Sequence, residues 1–83
     1  MVFFVYMIKT VSSKKMKTYV GYTNNLISRL KKHNSNAGAK STRGYKWVLV
    51  YKKKFFTKSK AMSYEYKLKN DRTKRKKILK LQK

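Results

Sequence analysis

Glu65 is the only glutamate in the sequence, and it lies in a stretch whose apolar residues recur at helical spacing. Its neighbours one turn away, Ala61, Met62 and Leu68, put the carboxylate on the apolar face of the predicted helix. A carboxylate in such a position needs a cation or hydrogen bonds, and it suits Mg²⁺ or Mn²⁺ held against a phosphate. The alternative is a weak surface ion pair with Lys69.

Two tyrosines lie in stretches that predict neighbouring strands. Because side chains alternate along a strand, Tyr6 shares a face with Phe4 and Ile8. Tyr19 shares a face with Gly21, where the missing side chain lets a backbone or a ligand come close. In a hairpin both phenols reach the same patch. The alternative is that both are ordinary strand residues, since tyrosine favours strands and the chain has seven.

Arg29 and His33 follow in one predicted helix. The apolar side of this helix is predicted to carry Leu26, Ile27, Leu30 and His33. Arg29 flanks that side, from which its guanidinium can reach into a site, whereas a lone arginine in a basic chain is usually a solvated surface group. His33 is either a packed or capping side chain or a general base. A single histidine excludes a multi-histidine zinc centre within one chain.

Charge dominates the composition. The 24 Lys and Arg residues face two acids, Glu65 and Asp71, for a formal net charge of +22. Such charge on a small domain repels itself, and a polyanion would relieve the repulsion while releasing counterions. A nucleic-acid partner is therefore favoured. The alternative is a merely basic surface produced by the coding bias of an A/T-rich genome, but that bias does not explain the scarcity of acids. Hydrophobic residues at 41% and aromatic residues at 14% exclude a disordered basic tail.

Several classes of protein are disfavoured by what the sequence lacks. The chain has no cysteine, so it has no disulfide and no thiolate metal site. The apolar stretch 2–8 is too short to span a bilayer and has no basic segment before it. We therefore expect an intracellular protein, in the cytoplasm or nucleoid, that is a monomer or a weak oligomer without a membrane partner; binding to an anionic membrane surface is the alternative.

The elements that must position these residues follow from periodicity and capping signals. The predicted elements are a strand in 1–10, a strand in 18–22, a helix in 26–34, a strand in 45–52, a helix in 60–69 and a helix in 73–82. Thr57 or Ser59 can cap the second helix, and Asn70 or Asp71 the third. The first strand is apolar at both parities and so belongs in the middle of the sheet. The prediction is a single α+β domain over residues 1–83, with the order ββαβα(α) and an antiparallel sheet 2-1-3 flanked by helices.

Taken together, these residues resemble a known family. The tripeptides Phe4-Val5-Tyr6 and Tyr19-Val20-Gly21 resemble the two half-motifs of the GIY-YIG nuclease superfamily. The pattern continues through Asn25-Leu26, Arg29, His33-Asn34, the stretch 40–43, the strand 47–51, Ala61 and Glu65. The resemblance covers residues 2 to about 81 and is to the stand-alone, single-domain branch of the superfamily.

The resemblance implies an endonuclease that hydrolyses DNA with Mg²⁺ or Mn²⁺ and leaves 5′-phosphate and 3′-hydroxyl ends. Tyr6 would act as general base or orient the attacking water, and Tyr19 would hydrogen-bond the phosphate or lower the pKa of Tyr6. Arg29 would neutralise charge that develops in the transition state, with His33 in the same catalytic set. Glu65 would be the sole protein ligand of the metal.

One departure and two alternatives accompany this interpretation. The glycine that usually opens the first half-motif is Phe4 here, which would narrow the site. A non-catalytic DNA- or RNA-binding module, or an adaptor for an acidic protein or membrane, would carry the same charge. Five cations near the motifs are predicted to contact the nucleic-acid backbone, and RNA is a possible substrate as well as DNA: Lys31, Lys32, Lys40, Arg43 and Lys46.

Overall fold

The computed structural model of the protein describes residues 1–11, 15–35 and 44–81. Its elements are β1 (Phe3–Val11), β2 (Thr18–Thr23), α1 (Leu26–Asn34), β3 (Lys46–Phe55), α2 (Lys58–Lys69) and α3 (Arg72–Leu81). The three strands form one antiparallel sheet in the order β2-β1-β3. The predicted fold class, element order and strand arrangement are therefore confirmed.

Strand β1 lies in the middle of the sheet because both of its faces are apolar. The core toward helices α2 and α3 contains Val5, Met7, Val20, Val50, Ala61, Leu68 and Ile78. The core toward α1 contains Tyr6, Ile8 and Trp47, against which Leu26 and Leu30 of the helix pack. The sheet is thus covered on both faces, and Tyr6 belongs to the face that α1 covers.

Strand β3 is longer than predicted and contains a bulge. It ends at Phe55 rather than at residue 52, because β1 begins at Phe3 and pairs that residue with Phe55. Met7 pairs with Tyr51 while Ile8 pairs with Leu49, which leaves Val50 as the extra residue of a β-bulge. The bulge lets Val50 join the core under α2 and α3.

Each helix begins at a side-chain cap. Asn25 accepts a hydrogen bond from the Ser28 backbone N–H at 3.1 Å, and Asp71 accepts one from Lys74 at 3.0 Å. Thr57, not Ser59, caps α2 by accepting the N–H of Lys60 at 3.2 Å. The helices are 9, 12 and 10 residues long, and none in the described part of the chain is long and apolar enough to cross a membrane.

Two predicted apolar contacts are wrong. Ile27 is 77% exposed and Met62 is 47% exposed, although both were expected on the inner faces of their helices. The reason is the same in each case. Each residue follows a packed residue of its helix and is rotated about 100° from it around the helix axis. The face of the helix that contacts the sheet is narrower than that angle.

Candidate active site

The hydroxyl of Tyr6 lies at the centre of a buried polar cluster. Tyr6 is 1% exposed, and its Oη is 2.8 Å from Nε2 of His33, which is itself fully buried. Arg29 donates from Nε to the same oxygen at 3.4 Å. Arg29 and His33 are four residues apart on α1, so one helix face brings both groups to a single phenol on β1.

The environment fixes the protonation states of this cluster. Burial raises the pKa of Tyr6, although the hydrogen bond and charge of Arg29 act in the opposite direction. Burial also lowers the pKa of His33, and the nearby Arg29 charge lowers it further. Near pH 7 the phenol is therefore protonated and the imidazole neutral. The direction of the Tyr6–His33 hydrogen bond depends on the tautomer of His33: with the ring proton on Nδ1, the hydroxyl of Tyr6 donates to Nε2.

Gly21 on β2 is where the second strand approaches this phenol. A Cβ built at Gly21 would lie 2.7 Å from Oη and 2.9 Å from Cζ of Tyr6, and 3.1 Å from Cε2 of Tyr19. The rings of Tyr19 and His33 are also neighbours, with centroids 5.0 Å apart. Glycine is therefore required at this position by a close side-chain approach, as the missing side chain suggested.

Gly21→Ala should lower the free energy of unfolding by ~1–3 kcal/mol, because a fully buried phenol cannot move aside for the new methyl group. The displaced Tyr6 should also change the pKa of His33, which can be followed by NMR titration of the imidazole. Gly44→Ala is the control. That glycine has φ +85°, but no described residue other than its chain neighbours comes within 4 Å of where the methyl group would stand. Its substitution should therefore strain the backbone and leave the His33 titration unchanged. Equal titration curves for all three proteins would contradict the proposed clash.

Above this cluster lies a pocket of about 410 Å³ at the β2 edge of the sheet. Its walls come from both faces of the sheet, since Arg29 belongs to α1 and Glu65 to α2. The lining residues are Phe3, Tyr19, Gly21, Tyr22, Thr23, Asn24, Arg29, Lys58 and Glu65. Three of the predicted catalytic residues therefore line one pocket, and Tyr6 lies beneath it with its hydroxyl next to the bare Cα of Gly21.

Glu65 is the carboxylate of this pocket. Its side chain is 21% exposed, and its Oε2 is 3.6 Å from Nζ of Lys69, which is 53% exposed. The ion pair that was the alternative for Glu65 is thus present, but such a half-solvated i,i+4 pair contributes little to stability. The Glu65 charge also reaches Tyr6, where it contributes to the raised pKa. The Glu65 carboxylate can therefore influence the pKa of Tyr6 even while it is paired with Lys69.

The donor set of the pocket suits a hard cation that keeps most of its own water. Glu65 supplies carboxylate oxygens, and Thr23 and Asn24 also line the pocket. No cluster of three or more His, Cys, Asp or Glu side chains occurs among the residues that the structure describes. These observations fit Mg²⁺ or Mn²⁺ bound through one carboxylate and disfavour a closed, all-protein metal cage.

The predicted backbone-binding cations are not all near the pocket. Lys31 and Lys32 are exposed on α1. Lys46 pairs with Val11 at the far end of β1 from Phe3, about 26 Å away at about 3.3 Å per strand residue. Lys40 and Arg43 lie outside the described residues.

Lys58 and Asn24 line the pocket, and sequence reasoning missed them as site residues. Lys58 is the first residue of α2, seven positions before Glu65, and this i,i+7 spacing on one helix face is a sequence signal that could have identified it. Phe4, which replaces the usual glycine, pairs with Thr23 on the neighbouring strand, while Phe3 lines the pocket.

The sheet of three antiparallel strands has an edge pocket that combines phenol, guanidinium and carboxylate groups. This arrangement defines a catalytic domain of the GIY-YIG class. The chain belongs to this family: the GIY-YIG catalytic domain profile matches residues 2–78. The family indicates a nuclease acting on nucleic acid.

Two similar proteins carry the name UPF0213. One from Staphylococcus haemolyticus is 42% identical over 67 residues, covering 80% of this chain and 78% of its own. One from Oceanobacillus iheyensis is 52% identical over 52 residues, covering 61% of this chain; the match spans 60% of that relative's length. The solution NMR structure of a UPF0213 protein from Bacillus halodurans has a TM-score of 0.54 and 36% identity, covering 99% of this chain and 86% of its own.

Proposed function

We propose that residues 1–83 act as a single-domain, divalent-metal-dependent endonuclease that hydrolyses phosphodiester bonds of DNA. The observation that carries this proposal is the Tyr6 hydroxyl, held between His33 Nε2 at 2.8 Å and Arg29 Nε at 3.4 Å, beneath a pocket that Arg29 and Glu65 line. A phenol that can give its proton to a neutral imidazole and receive one from water is a device for activating water.

The proposed water activation is a two-proton relay. A water molecule above Gly21 gives one proton to Oη of Tyr6, while the hydroxyl proton of Tyr6 moves to Nε2 of His33. The water oxygen then attacks the phosphorus, the bond from phosphorus to the 3′ oxygen breaks, and the departing 3′ oxygen takes up a proton from solvent, while His33 later returns its proton to solvent. The products are a 5′-phosphate and a 3′-hydroxyl. The lowered pKa of His33 keeps its imidazole neutral and ready to accept the proton near pH 7.

Two cations of the pocket are proposed to hold the phosphate. The hydrogen bond to Tyr6 raises the pKa of Arg29, so its guanidinium stays charged and can stabilise negative charge that develops on the phosphate oxygens. Lys58, on the α2 wall, is proposed to bind a non-bridging oxygen, and Tyr19 to donate a hydrogen bond to the same phosphate. Glu65 is proposed to hold the divalent cation, which when bound would polarise the phosphate and stabilise the leaving oxygen.

The direct test is cleavage of labelled DNA and RNA of several structures by the purified protein, with Mg²⁺, with Mn²⁺ and with a chelator. Single strands, duplexes, nicked duplexes and branched junctions form the panel. We expect cleavage with either metal, none with the chelator, and 5′-phosphate ends. Binding without cleavage under every metal condition would contradict the endonuclease proposal and would favour a non-catalytic nucleic-acid-binding module.

Arg29→Ala should lower kcat by ~10²–10³-fold, the usual effect of removing one group that stabilises transition-state charge. Affinity for DNA should change little, because 23 of the 24 Lys and Arg residues remain. Arg72→Ala, at the start of α3, is the matched control with the same charge removed away from the pocket. Steady-state kinetics and equilibrium binding separate the two effects. Equal losses of rate and affinity would show that Arg29 only positions DNA.

A further inference from the structure

A second group of aromatic and basic side chains lies where β3, α2 and α3 meet. The hydroxyl groups of Tyr51 and Tyr64 are 2.6 Å apart, and the rings of Phe55 and Tyr64 have centroids 5.2 Å apart. The ammonium groups of Lys53 and Lys74 lie 4.9 Å and 5.5 Å from the centroid of the Tyr64 ring. These five residues are the Tyr64 cluster.

The Tyr64 cluster concentrates positive charge around one phenol. Burial and the hydrogen bond to Tyr64 raise the pKa of Tyr51 to about 12. Burial would raise the pKa of Tyr64 too, but its bond to Tyr51 and the charges of Lys74 and Lys53 outweigh burial and lower it. The ring faces attract both ammonium groups, so two like charges are held on one small surface.

The chain's own acids do not neutralise these two lysines. Glu65 is paired with Lys69, and Asp71 uses Oδ1 to cap α3. Within residues 1–11, 15–35 and 44–81, neither acid forms an ion pair with the ammonium group of Lys53 or Lys74. Since the whole chain has only these two acids, an external anion is the partner that can compensate the charge.

A small depression beside the cluster adds further donors. Its volume is about 220 Å³, and Lys60, Ser63 and Lys67 of α2 line it together with Phe55 and Tyr64. The three α2 residues follow the spacing i, i+3, i+7 and so occupy one flank of the helix. Two ammonium groups and a hydroxyl around a space of this size match a phosphate group, not a large apolar ligand.

We infer that the Tyr64 cluster and this adjoining depression form a second backbone-binding site for the nucleic-acid substrate, away from the scissile phosphate. The inference rests on the proposed function, because the polyanion it invokes is that function's substrate. Glu65 and Tyr64 are adjacent on α2, and they line cavities on opposite flanks of the helix. A substrate lying across α2 therefore meets the catalytic pocket on one flank and the Tyr64 cluster on the other.

Lysine footprinting of the unaltered protein tests this site. The protein is treated with an amine-acetylating reagent, with and without a DNA duplex, in chelator so that no cleavage occurs. DNA should slow acetylation of Lys53, Lys60, Lys67 and Lys74. Lys76 and Lys80 serve as the reference, because they lie on the side of α3 opposite the buried Ile78. Unchanged acetylation of Lys53 and Lys74 in a DNA-bound protein would overturn the inference, as would protection by polyglutamate but not by DNA.

A pair of matched variants gives the second readout. Lys53→Ala/Lys74→Ala and Lys76→Ala/Lys80→Ala each remove two charges from the same chain. The first should reduce the steepness of the salt dependence of DNA binding by about 1.8 in log–log slope, at about 0.9 per phosphate contact, and the second should not. In cleavage, the first should raise KM and leave kcat unchanged. Equal slopes for both variants would mean that the cluster only packs the fold.

These results separate the second site from the proposed function. If the protein never cleaves but shows the expected footprint, the second site is supported and the endonuclease proposal is contradicted. If the protein cleaves but DNA does not protect Lys53 and Lys74 from acetylation, the endonuclease proposal is supported and the second site is contradicted.

Discussion

Tyr6→Phe is expected to reduce the cleavage rate by at least ~10²-fold, the usual contribution of acid–base help. The substitution removes one oxygen, the atom that lies 2.8 Å from His33 Nε2 and 3.4 Å from Arg29 Nε. Without it, water above Gly21 has no phenol to receive its proton, and His33 has no donor to relay it. Single-turnover cleavage under saturating protein isolates this chemical step from binding.

The same variant should be somewhat less stable. Loss of the Tyr6 hydroxyl leaves the buried Nε2 of His33 without this hydrogen-bond partner, at a cost of ~1–3 kcal/mol in the free energy of unfolding. Rates must therefore be compared at temperatures well below the unfolding midpoint of each protein. Tyr66→Phe is the matched control, because that phenol is 69% exposed on α2. A normal rate for a folded Tyr6→Phe protein would show that Tyr6 is only a strand residue.

The relay also predicts a pH signature. His33 accepts a proton only when its imidazole is neutral, and burial and Arg29 hold its pKa below the usual value. The cleavage rate of the unaltered protein should therefore fall as the pH drops through that lowered pKa. In Tyr6→Phe the residual rate should lose this dependence, because His33 is no longer connected to the attacking water.

Glu65→Gln is expected to abolish most Mg²⁺-dependent cleavage while the protein still binds DNA. The amide is nearly isosteric, but it lacks the charge that holds a hard divalent cation. Removal of a negative charge beside the phosphate should leave DNA affinity unchanged or slightly higher. Loss of the pair with Lys69 should change stability by at most ~0.5 kcal/mol. Excess Mn²⁺ should restore the rate only weakly.

The only other acid of the chain supplies the control. Asp71→Asn makes the same carboxylate-to-amide change at the cap of α3, where asparagine caps a helix as well as aspartate does. That variant should cleave and bind like the unaltered protein. Cleavage assays, filter binding and thermal unfolding on both variants distinguish charge loss in general from charge loss at the pocket. Normal Mg²⁺-dependent cleavage by Glu65→Gln would end the assignment of Glu65 to the metal.

Local signals were sufficient to predict the fold of this chain. Apolar residues at both parities of the first strand could be satisfied only at the centre of a sheet, and β1 lies there. The caps of the second and third helices were among the residues predicted, Thr57 and Asp71, because cap chemistry acts within one turn. The extension of β3 to Phe55 was not predicted, because Lys53 and Lys54 have low strand preference and only their pairing with β1 keeps them extended.

The predicted site residues were expected to lie together, but their contacts were not predicted. The family resemblance implied that Arg29 and Glu65 belong to one site, and both line the same pocket. The hydrogen bond between Tyr6 and His33 depends on how α1 lies across the sheet, which no local pattern encodes. Lys58 was not predicted because it is one of 24 cations, and its i,i+7 spacing from Glu65 does not by itself distinguish it from the others.

The position of β3 at the edge of the sheet has a consequence for association between copies of the chain. An edge strand is a template for pairing with another strand, and exposed lysines are a common way to block such pairing. Lys52, Lys53 and Lys54 are all exposed on β3. Salt that screens these charges, with a Debye length of about 8–10 Å near physiological strength, weakens that block. Raising the salt concentration should therefore release nucleic acid and at the same time favour edge-to-edge self-association.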